Sequence, residues 1–568
     1  MRNSNWMIFI IAMSLTGVNL QAHGAEQSPA RASTSAAVQS REPAASAKVK
    51  KTKRKTGKQS SSSSPKSTRK ESNVRLSTSG DELKEAQRLL DPKVANYHEA
   101  SMRLFSLTRS PRYADQRMKI KYLLGLVLMD LKLYQAAAYQ FVDVARNGEK
   151  DLVKKSLTKL SVAADYLGDD SMLRYAIGKI EVGEFPQAHQ DMLYYRLGQF
   201  WMDKKQFKQA AQSYANVQAS SPFYTMAKYE EGLSYAELNE TDRAIGAFEE
   251  LINAREDKKV TDSARVAALA GKARVYYQQK DWERSIAAYR EVPRDTDLWH
   301  DALFESSWAM LRAARFRSAL SNFQSLHSDY YSDFYLPESL LLRATVYLYI
   351  CKYDEMEKVV SLFKKVYAPI YNQLVRYLKS HSDPQAYFRE IMAIHDDYDN
   401  LANNNDARKK LGIPFLVARR VLRENDFRRM FNYYQRLTAE RKRIDTLPVA
   451  WRKSALGTMT QKALAKRMAN TERTLGRMTR AHMRWVVADL RDLNEQNEFL
   501  TFEMLNGKKE SIKKTMAGKG VVKEKESIDE SADRDFYVQN GYEYWPFRGE
   551  YWLDEIGNYH YLGVQSCE

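Results

Sequence analysis

The sequence predicts an all-α fold in which helical hairpins stack into a solenoid, and three observations lead to this expectation. A series of apolar residues with one fixed spacing recurs through the middle of the chain. Two pairs of neighbouring units are offset by 34 residues, a period typical of stacked helical hairpins. A small residue precedes the start of each series by nine positions. Such arrays bind other molecules and rarely catalyse reactions, so the period predicts a binding function.

The series begin at Tyr134, Phe207, Thr241, Trp282, Phe316 and Tyr353. Because two short helices must approach closely before a repeat can bury its apolar side, only small residues fit at the contact. Those residues are Gly125, Gly198, Gly232, Ala273, Ser307 and Ala344. Three positions later, bulky residues are predicted to fill the space between neighbouring hairpins; they are Leu128, Trp201, Tyr235, Tyr276, Met310 and Tyr347.

One unit is close to a known consensus. It carries Leu197, Gly198, Trp201, Ala210, Tyr214 and Pro222 at matching positions. In these residues the chain resembles the tetratricopeptide repeat family. The resemblance implies an array over 81–380, with an atypical first repeat at Tyr97 and a degenerate unit over 151–185.

The amino-terminal residues predict export. Arg2 precedes an apolar run over 6–15 that is too short to span a membrane as a mature helix, and small residues near Gly24 suit cleavage. We therefore expect a cleaved signal peptide over 1–25 and a mature chain in the periplasm or cell envelope. No cysteine lies near the cleavage site, so a lipoprotein anchor is not expected, and no later segment is apolar enough to cross a membrane.

Residues 26–80 are rich in Ser, Lys, Pro and Ala and contain 13 basic and 3 acidic residues. Without aromatic residues this stretch cannot form a core, so we predict a disordered basic linker. Its charge favours anionic polymers of the cell wall, lipid headgroups or an acidic protein as partners, and a merely solvated linker is an equal alternative. Export argues against nucleic acid.

Residues 381–506 are predicted to be a basic helical segment. From Val486, the positions Leu490, Leu493, Asn497, Leu500 and Met504 follow the spacing of a coiled-coil seam. The seam weakens upstream at Thr479 and Gly476. We therefore expect a helical hairpin packed on the array, with a dimeric coiled coil as the alternative.

The net charge of +18 conceals an uneven distribution of charge along the chain. Residues 400–520 hold 27 basic and 12 acidic residues, whereas residues 521–568 hold 4 basic and 11 acidic residues.

A polar linker is expected over 507–535, and residues 536–568 form an aromatic tail. Ten aromatic residues occur between Phe536 and Tyr561, and a turn-like stretch at 555–558 suits a small β-hairpin. Such a hairpin needs a surface to cover, either on the chain's own helices or on a partner. As recognition residues of the tail we predict Trp545, Phe547, Tyr551 and Trp552.

The string from Trp545 to Tyr561, with Cys567 close behind, resembles the terminal motif of exported repeat proteins in myxobacteria and their predatory deltaproteobacterial relatives. Some of those proteins belong to gliding-motility and envelope-spanning machinery. The resemblance therefore implies a role in envelope assembly and leaves the partner open.

The sequence offers no catalytic arrangement that would predict an enzyme. The 9 histidines are scattered, the pairs His300–Asp301 and His395–Asp396 are adjacent residues, and neither cysteine has a partner at metal-ligand spacing. We accordingly predict no catalytic residue, no metal site and no cofactor. Cys351 is either a buried apolar residue or the partner of Cys567 in a disulfide.

If the family resemblance holds, partners bind to the inner faces of the first helices. On that basis the expected contact residues are Tyr195, Tyr229, Arg274, Phe304, Trp308 and Arg312. The predicted function is a non-enzymatic envelope scaffold that holds peptide or helix segments of other envelope proteins. The alternative is a protein that binds the cell wall or an anionic polysaccharide through the basic arm.

Overall fold

The computed structural model describes residues 81–91, 93–168, 187–254, 260–296, 298–331, 334–516, 551–552 and 555–561. Its contacts divide the chain into two compact units. The first unit consists of Ala37–Ala227 and Asn425–Leu475, and the second includes Lys228–Glu424 and Gly476–Glu568. The described residues form helices and contain no β-strand. For this part of the chain the all-α prediction is confirmed.

The helices are numbered in chain order. The repeat region contains α1 Asp81–Leu89, α2 Tyr97–Arg109, α3 Arg117–Asp130, α4 Tyr134–Asn147, α5 Lys150–Leu167, α6 Gln187–Asp203, α7 Phe207–Ala215, α8 Tyr224–Glu237, α9 Thr241–Ile252, α10 Asp262–Gln278, α11 Trp282–Arg290, α12 Trp299–Arg312, α13 Phe316–Leu326, α14 Pro337–Tyr349 and α15 Tyr353–Ser380. After it come α16 Pro384–Asp396, α17 Tyr398–Asn403, α18 Asn405–Arg408, α19 Phe415–Arg423, α20 Asn425–Asp445, α21 Val449–Lys453 and α22 Ala455–Met516.

The predicted starting residues of the series are the first residues of the second helices. Tyr134 begins α4, Phe207 begins α7 and Thr241 begins α9. The same holds for α11, α13 and α15. Tyr97 likewise begins α2, after a longer turn. In the degenerate unit α5 is present, and residues 169–186 lie outside the described residues.

Each of these hairpins turns through one residue in the left-handed conformation. The values of φ lie between 56° and 66° at Lys132, Lys205, Asn239, Lys280, Ala314 and Cys351. The N–H of the following residue donates to the carbonyl of the predicted bulky residue, as from Arg315 to Met310 at 2.8 Å. This is the Schellman arrangement, which satisfies the last carbonyls of the first helix. The bulky positions are thus also the points at which the first helices end.

The small residues lie where the two helices of a hairpin touch. A Cβ atom at Gly125 would be 2.6 Å from Cε1 of Phe141, and one at Gly232 would be 2.8 Å from Cε1 of Phe248. Real Cβ atoms do not approach ring carbons so closely, so a side chain there would force the helices apart. The close approach that the sequence predicts is present.

In the first unit, the C-terminal helices pack on the array. Tyr433 of α20 donates to Oε1 of Gln135 at 2.6 Å, and the indole of Trp451 donates to Ser101 at 2.9 Å. Helix α20 also contacts the first part of α22, since Arg467 donates to the hydroxyl of Tyr433 at 2.8 Å. In this unit, α20 therefore packs both on the repeats and on the first part of α22.

In the second unit, the predicted seam of α22 is buried within the chain. Leu490, Leu493, Asn497, Leu500 and Met504 are all at most 3% exposed, and the amide of Asn497 donates to the carbonyl of Val360 at 3.3 Å. The seam therefore packs on α15. Upstream, a Cβ atom at Gly476 would be 1.8 Å from the carbonyl oxygen of Pro384, so glycine there permits a close backbone contact.

Helix α22 continues to Met516, beyond the start of the linker predicted from Gly507. Packing against α15 explains the extension. A Cβ atom at Gly507 would be 2.4 Å from Cε1 of Tyr353, and Lys508 pairs with both Asp354 and Glu357. The expected linker thus begins as a helix, and residues 517–550 lie outside the described residues.

The predicted β-hairpin of the tail is not supported. Within residues 551–552 and 555–561 there is a turn at Glu555–Gly557 and no strand. The backbone N–H groups of Gly557 and Tyr561 donate to Ser325 and Ser321 of α13. Because these two backbone N–H groups donate to side chains of the array, the N–H groups are not available for strand pairing.

Candidate functional site

The six residues expected to contact a partner lie on first helices, as the repeat pattern predicts. Tyr195 is on α6, Tyr229 on α8 and Arg274 on α10, whereas Phe304, Trp308 and Arg312 are on α12. The structure does not test whether any of them contacts a partner. It does show how buried each one is and what each one touches.

Tyr195, in the first unit, is a packing residue. Its ring stacks on Phe223 with centroids 5.6 Å apart and lies 6.0 Å from the ring of Tyr214. The amide of Gln199 donates to its hydroxyl at 3.0 Å. Tyr195 is buried, so in this structure its surface is already covered by its own repeat and the next one.

In the second unit, Arg274 forms a buried ion pair. Its guanidinium donates twice to the carboxylate of Glu305, at 2.7 and 2.8 Å. The hydroxyl of Tyr289 donates to the same carboxylate at 2.7 Å. Tyr229 lies close to this group of charges, and its burial raises its pKa to about 12. The arrangement joins α10 to α12 and fixes the direction of the Arg274 side chain.

Side chains of α12 spaced by three or four residues share one side of that helix. Along it lie Asp301, Phe304, Glu305, Trp308 and Arg312. Phe304 and Arg312 are half-buried, whereas Trp308 is 1% exposed and its indole N–H has no acceptor. Arg312 hydrogen-bonds to Tyr277, whose pKa is raised because the phenol is buried. We refer to Phe304, Glu305 and Arg312 as the α12 face.

The arginines of α19 are used inside the second unit. Arg420 lies over the rings of Tyr335 and Trp485, at 5.0 and 4.4 Å from their centroids. Arg419 and Arg423 both lie over Phe334, at 4.7 and 5.0 Å. Arg419 and Arg420 thus lie against aromatic rings, where a guanidinium both stacks and attracts the ring electrons.

The charge of Arg423 also affects the pKa of Asp301 on α12. Burial would raise the pKa of Asp301, but a hydrogen bond with His300 and the charges of His300, Arg274 and Arg423 lower it. Asp301 therefore lies within electrostatic range of Arg274 in the array and of Arg423 in α19.

A buried acidic pair lies between α14 and α22. Burial and the charge of Asp489 raise the pKa of Glu338 to about 7, while Arg420 opposes the shift. The hydroxyl of Tyr335 donates to Asp489 at 3.1 Å. These side chains hold α19 and α22 on the repeats, and no motif in the sequence had marked them.

The tail docks on the second unit. Gly557 N donates to Ser325 Oγ at 2.7 Å and Tyr561 N to Ser321 Oγ at 3.0 Å. Arg294 donates to the side chain of Asn558. Burial raises the pKa of Tyr561 to about 12, with Tyr347 nearby. Docking onto the chain's own helices is therefore what the described part of the tail does.

The predicted recognition residues of the tail differ in position. Tyr551 is half-buried and its burial raises its pKa. Trp552 is 61% exposed. Trp545 and Phe547 lie outside the described residues. Of this set, only Trp552 offers a large free ring surface in the structure.

No group of three or more metal-binding side chains lies together among the described residues. His300 and Asp301 approach to 3.4 Å and His395 and Asp396 to 3.1 Å, in each case as sequence neighbours. Cys351 is disulfide-bonded, and the other cysteine of the chain, Cys567, lies outside the described residues. Over the described residues, no helix is both long and apolar enough to cross a membrane.

Comparison with known proteins identifies the repeats. Residues 229–297 match the tetratricopeptide repeat family model. The crystal structure of the P58(IPK) TPR domain matches with 12% identity and a TM-score of 0.17, covering 68% of this chain and 98% of that one. No curated protein matches the sequence. Residues 229–297 therefore match tetratricopeptide repeats, and in the structure this stretch contains helical hairpins with Schellman turns.

Proposed function

We propose that this protein is a non-enzymatic scaffold that holds helical or extended segments of other proteins on the α12 face. The observation that carries the proposal is that Phe304 and Arg312 of this face are only half-buried, while Glu305 on the same side is fixed by Arg274 at 2.7 and 2.8 Å. A helix side that offers apolar area together with ordered charge is suited to hold a partner segment.

The α12 face offers a partner both apolar area and charge. Phe304 is half-buried, so part of its ring is open, and Arg312, about two turns further along the same side of the helix, supplies a guanidinium. Glu305 is held in place by Arg274 and Tyr289 and so does not need to be ordered on binding. Arginine and aromatic residues contribute much of the energy in protein interfaces. A partner segment with an acidic residue and an apolar anchor fits this pattern.

We place the scaffold in the cell envelope, in an envelope-spanning or gliding-motility complex. Support comes from the sequence: the apolar run over 6–15 behind Arg2, and the aromatic string that begins at Trp545. The apolar run and the part of the string before Tyr551 lie outside the described residues. Fractionation tests this part separately, because an exported mature chain starts after residue 25 and is released with the periplasm.

The binding proposal is tested by affinity capture from cross-linked cells. Phe304→Ala with Arg312→Glu should abolish co-purification of defined protein partners, because the apolar anchor is removed and the charge is reversed. Lys208→Glu is the control, since Lys208 is exposed on a second helix. Trp308→Ala is less suitable because Trp308 is buried and its loss would leave a cavity. An unchanged set of partners would refute the role of the α12 face.

The same capture experiment distinguishes binding of protein partners from binding of the cell wall. Deletion of residues 26–80 should leave protein partners in place if the array is the binding element. Retention of the full chain on purified cell wall, lost on that deletion, would instead favour the basic arm. In that case the protein would be a polymer-binding protein, and the scaffold proposal would be wrong.

A further inference from the structure

The last turns of α22 carry a second apolar face, distinct from the seam that packs on the array. Phe502, Leu505, Ile512 and Met516 follow one another at intervals of three, seven and four residues, so they line one side of the helix. These side chains are 58%, 57%, 58% and 83% exposed. Phe499, at 43%, extends the same side. An apolar stripe of this length on a surface marks an interaction site.

The opposite side of this part of α22 is fixed to the second unit. Leu500 and Met504 are buried, and Gly507 lies against the ring of Tyr353. Lys508 pairs with Asp354 at 2.9 Å and with Glu357 at 2.7 Å. The helix therefore cannot turn its apolar stripe inward without breaking these contacts, and the stripe faces outward.

The charges around the stripe are basic. Lys509, Lys513 and Lys514 are exposed, and Lys509 falls between Leu505 and Ile512 on the same side of the helix. One acidic neighbour, Glu510, pairs with Lys513 at 2.7 Å. A second copy of the chain pairing through this stripe would bring lysines together in an apolar contact, which is unfavourable. The occupant is accordingly anionic.

The residue types favour lipid over protein. Protein interfaces are depleted in Lys, whereas Lys509 lies within the stripe and Lys513 and Lys514 lie beside it. The stripe contains Phe, Leu, Ile and Met with flanking Lys, which is the pattern of helices that lie in the headgroup region of a bilayer. The exposed side of one helix is also convex, a shape that is suited to insertion among lipids. We propose that the face from Phe499 to Met516 binds the surface of an anionic lipid bilayer.

The proposal is tested by sedimentation of the full chain with vesicles of phosphatidylcholine, with and without phosphatidylglycerol. Binding is expected to the mixed vesicles and to weaken with salt. Phe502→Ser with Leu505→Ser should weaken it about tenfold or more, because two large apolar side chains no longer leave water. Lys509→Gln, Lys513→Gln and Lys514→Gln together should reduce the salt dependence.

Tyr330→Ser is the matched control, because Tyr330 is 62% exposed in the same unit and lies outside the stripe. Its binding should equal that of the unchanged chain, and circular dichroism should show the same helix content for all variants. The basic arm over 26–80 is present in every variant, so it cannot account for a difference between them.

Any of four results would overturn the proposal. The full chain would fail to bind the mixed vesicles, or Phe502→Ser with Leu505→Ser would bind them as well as the unchanged chain does. Light scattering would show a dimer that the same pair of substitutions converts to a monomer, making a second copy the occupant. A defined acidic protein, retained from a membrane-free extract and lost with the pair, would make the occupant a protein.

Discussion

Gly198 of α6 lies directly against the ring of Tyr214 in α7: a Cβ atom at Gly198 would be 2.4 Å from Cε1 of Tyr214. Tyr214 is buried, so its ring has little space in which to withdraw. We expect Gly198→Ala to lower the free energy of unfolding by about 1–3 kcal/mol, the usual cost of overpacking a core. Urea denaturation followed by circular dichroism measures this change.

Gly246 provides the control for that substitution. It lies in the interior of α9 and is exposed, and a Cβ atom there would meet nothing within 4 Å. Because alanine is the better helix former, Gly246→Ala should raise the free energy of unfolding by about 0.5–1 kcal/mol. If both alanine variants shifted stability in the same direction, the close contact between Gly198 and Tyr214 would not be what requires glycine.

The left-handed turn at Ala314 predicts a stabilising substitution. Its φ of 56° is unfavourable for a residue with a Cβ atom and normal for glycine. Ala314→Gly should therefore raise the free energy of unfolding by up to about 1 kcal/mol, after the greater freedom of glycine in the unfolded chain is subtracted. Ala314→Val should lower it. A loss of stability with glycine would contradict the assigned turn.

The repeats could be predicted from the sequence because each rule there acts over a short distance. The small residue nine positions before each second helix marks a contact within one hairpin, and the bulky residue three positions later accepts the hydrogen bond that closes the turn of the same hairpin. The ion pair of Arg274 with Glu305 joins neighbouring first helices 31 residues apart, and Asp165 and Arg196 are paired at the same offset. A comparison of charges at that offset would have found both.

Other features depend on contacts far apart in the chain. Nothing close to Arg419 or Arg420 in sequence shows that aromatic rings at Phe334 and Tyr335 will cover them. The tail was predicted as a β-hairpin from its alternating residues. Such alternation indicates a propensity for strands, but it does not show which groups are available to accept the backbone hydrogen bonds of the tail. Because Ser321 and Ser325 accept its backbone hydrogen bonds, the observed turn depends on α13.

Cys351 predicts a covalent link to the tail. Cys351 is disulfide-bonded, and the chain has only one other cysteine, Cys567. Peptide mapping without reductant should recover the peptides of Cys351 and Cys567 as one species, and reduction should separate them. Titration of two free thiols per unfolded chain, under conditions that preserve disulfides, would disprove the link.

The docked tail predicts that Gly557 tolerates no side chain. A Cβ atom there would be 2.3 Å from Cζ2 of Trp299, and the φ of 89° favours glycine. Gly557→Val should release residues 555–561 from α13, seen as faster hydrogen exchange of the Tyr561 amide. Trp552→Ser is the control, since Trp552 is largely exposed. Equal exchange rates in the two variants would show that the tail is not held at Gly557.

Glu440 predicts a pH-dependent stability in the first unit. Its burial raises its pKa from 4.5 to about 7, although the N–H groups of Gln135 and Ala136 donate to the carboxylate and oppose the shift. The folded chain therefore keeps a proton between pH 4.5 and 7 that the unfolded chain has already lost. The contribution of Glu440 to the free energy of unfolding is fully present below pH 4.5 and is lost as the pH rises toward 7.

Glutamine has the shape of the protonated acid and does not ionise. Near pH 4.5, Glu440→Gln should be less stable than the unchanged chain, because its NH2 group cannot accept one of the two backbone N–H groups that donate to Glu440. Between pH 4.5 and about pH 8 its stability should rise relative to that of the unchanged chain by on the order of 3 kcal/mol. Asp445→Asn, at an exposed position of the same helix, should show no such difference. Thermal unfolding at both pH values measures the effect. If the stability of the Gln variant and that of the unchanged chain depended on pH in the same way, Glu440 would be ionised in the folded chain. Its two backbone hydrogen bonds would then outweigh the effect of its burial.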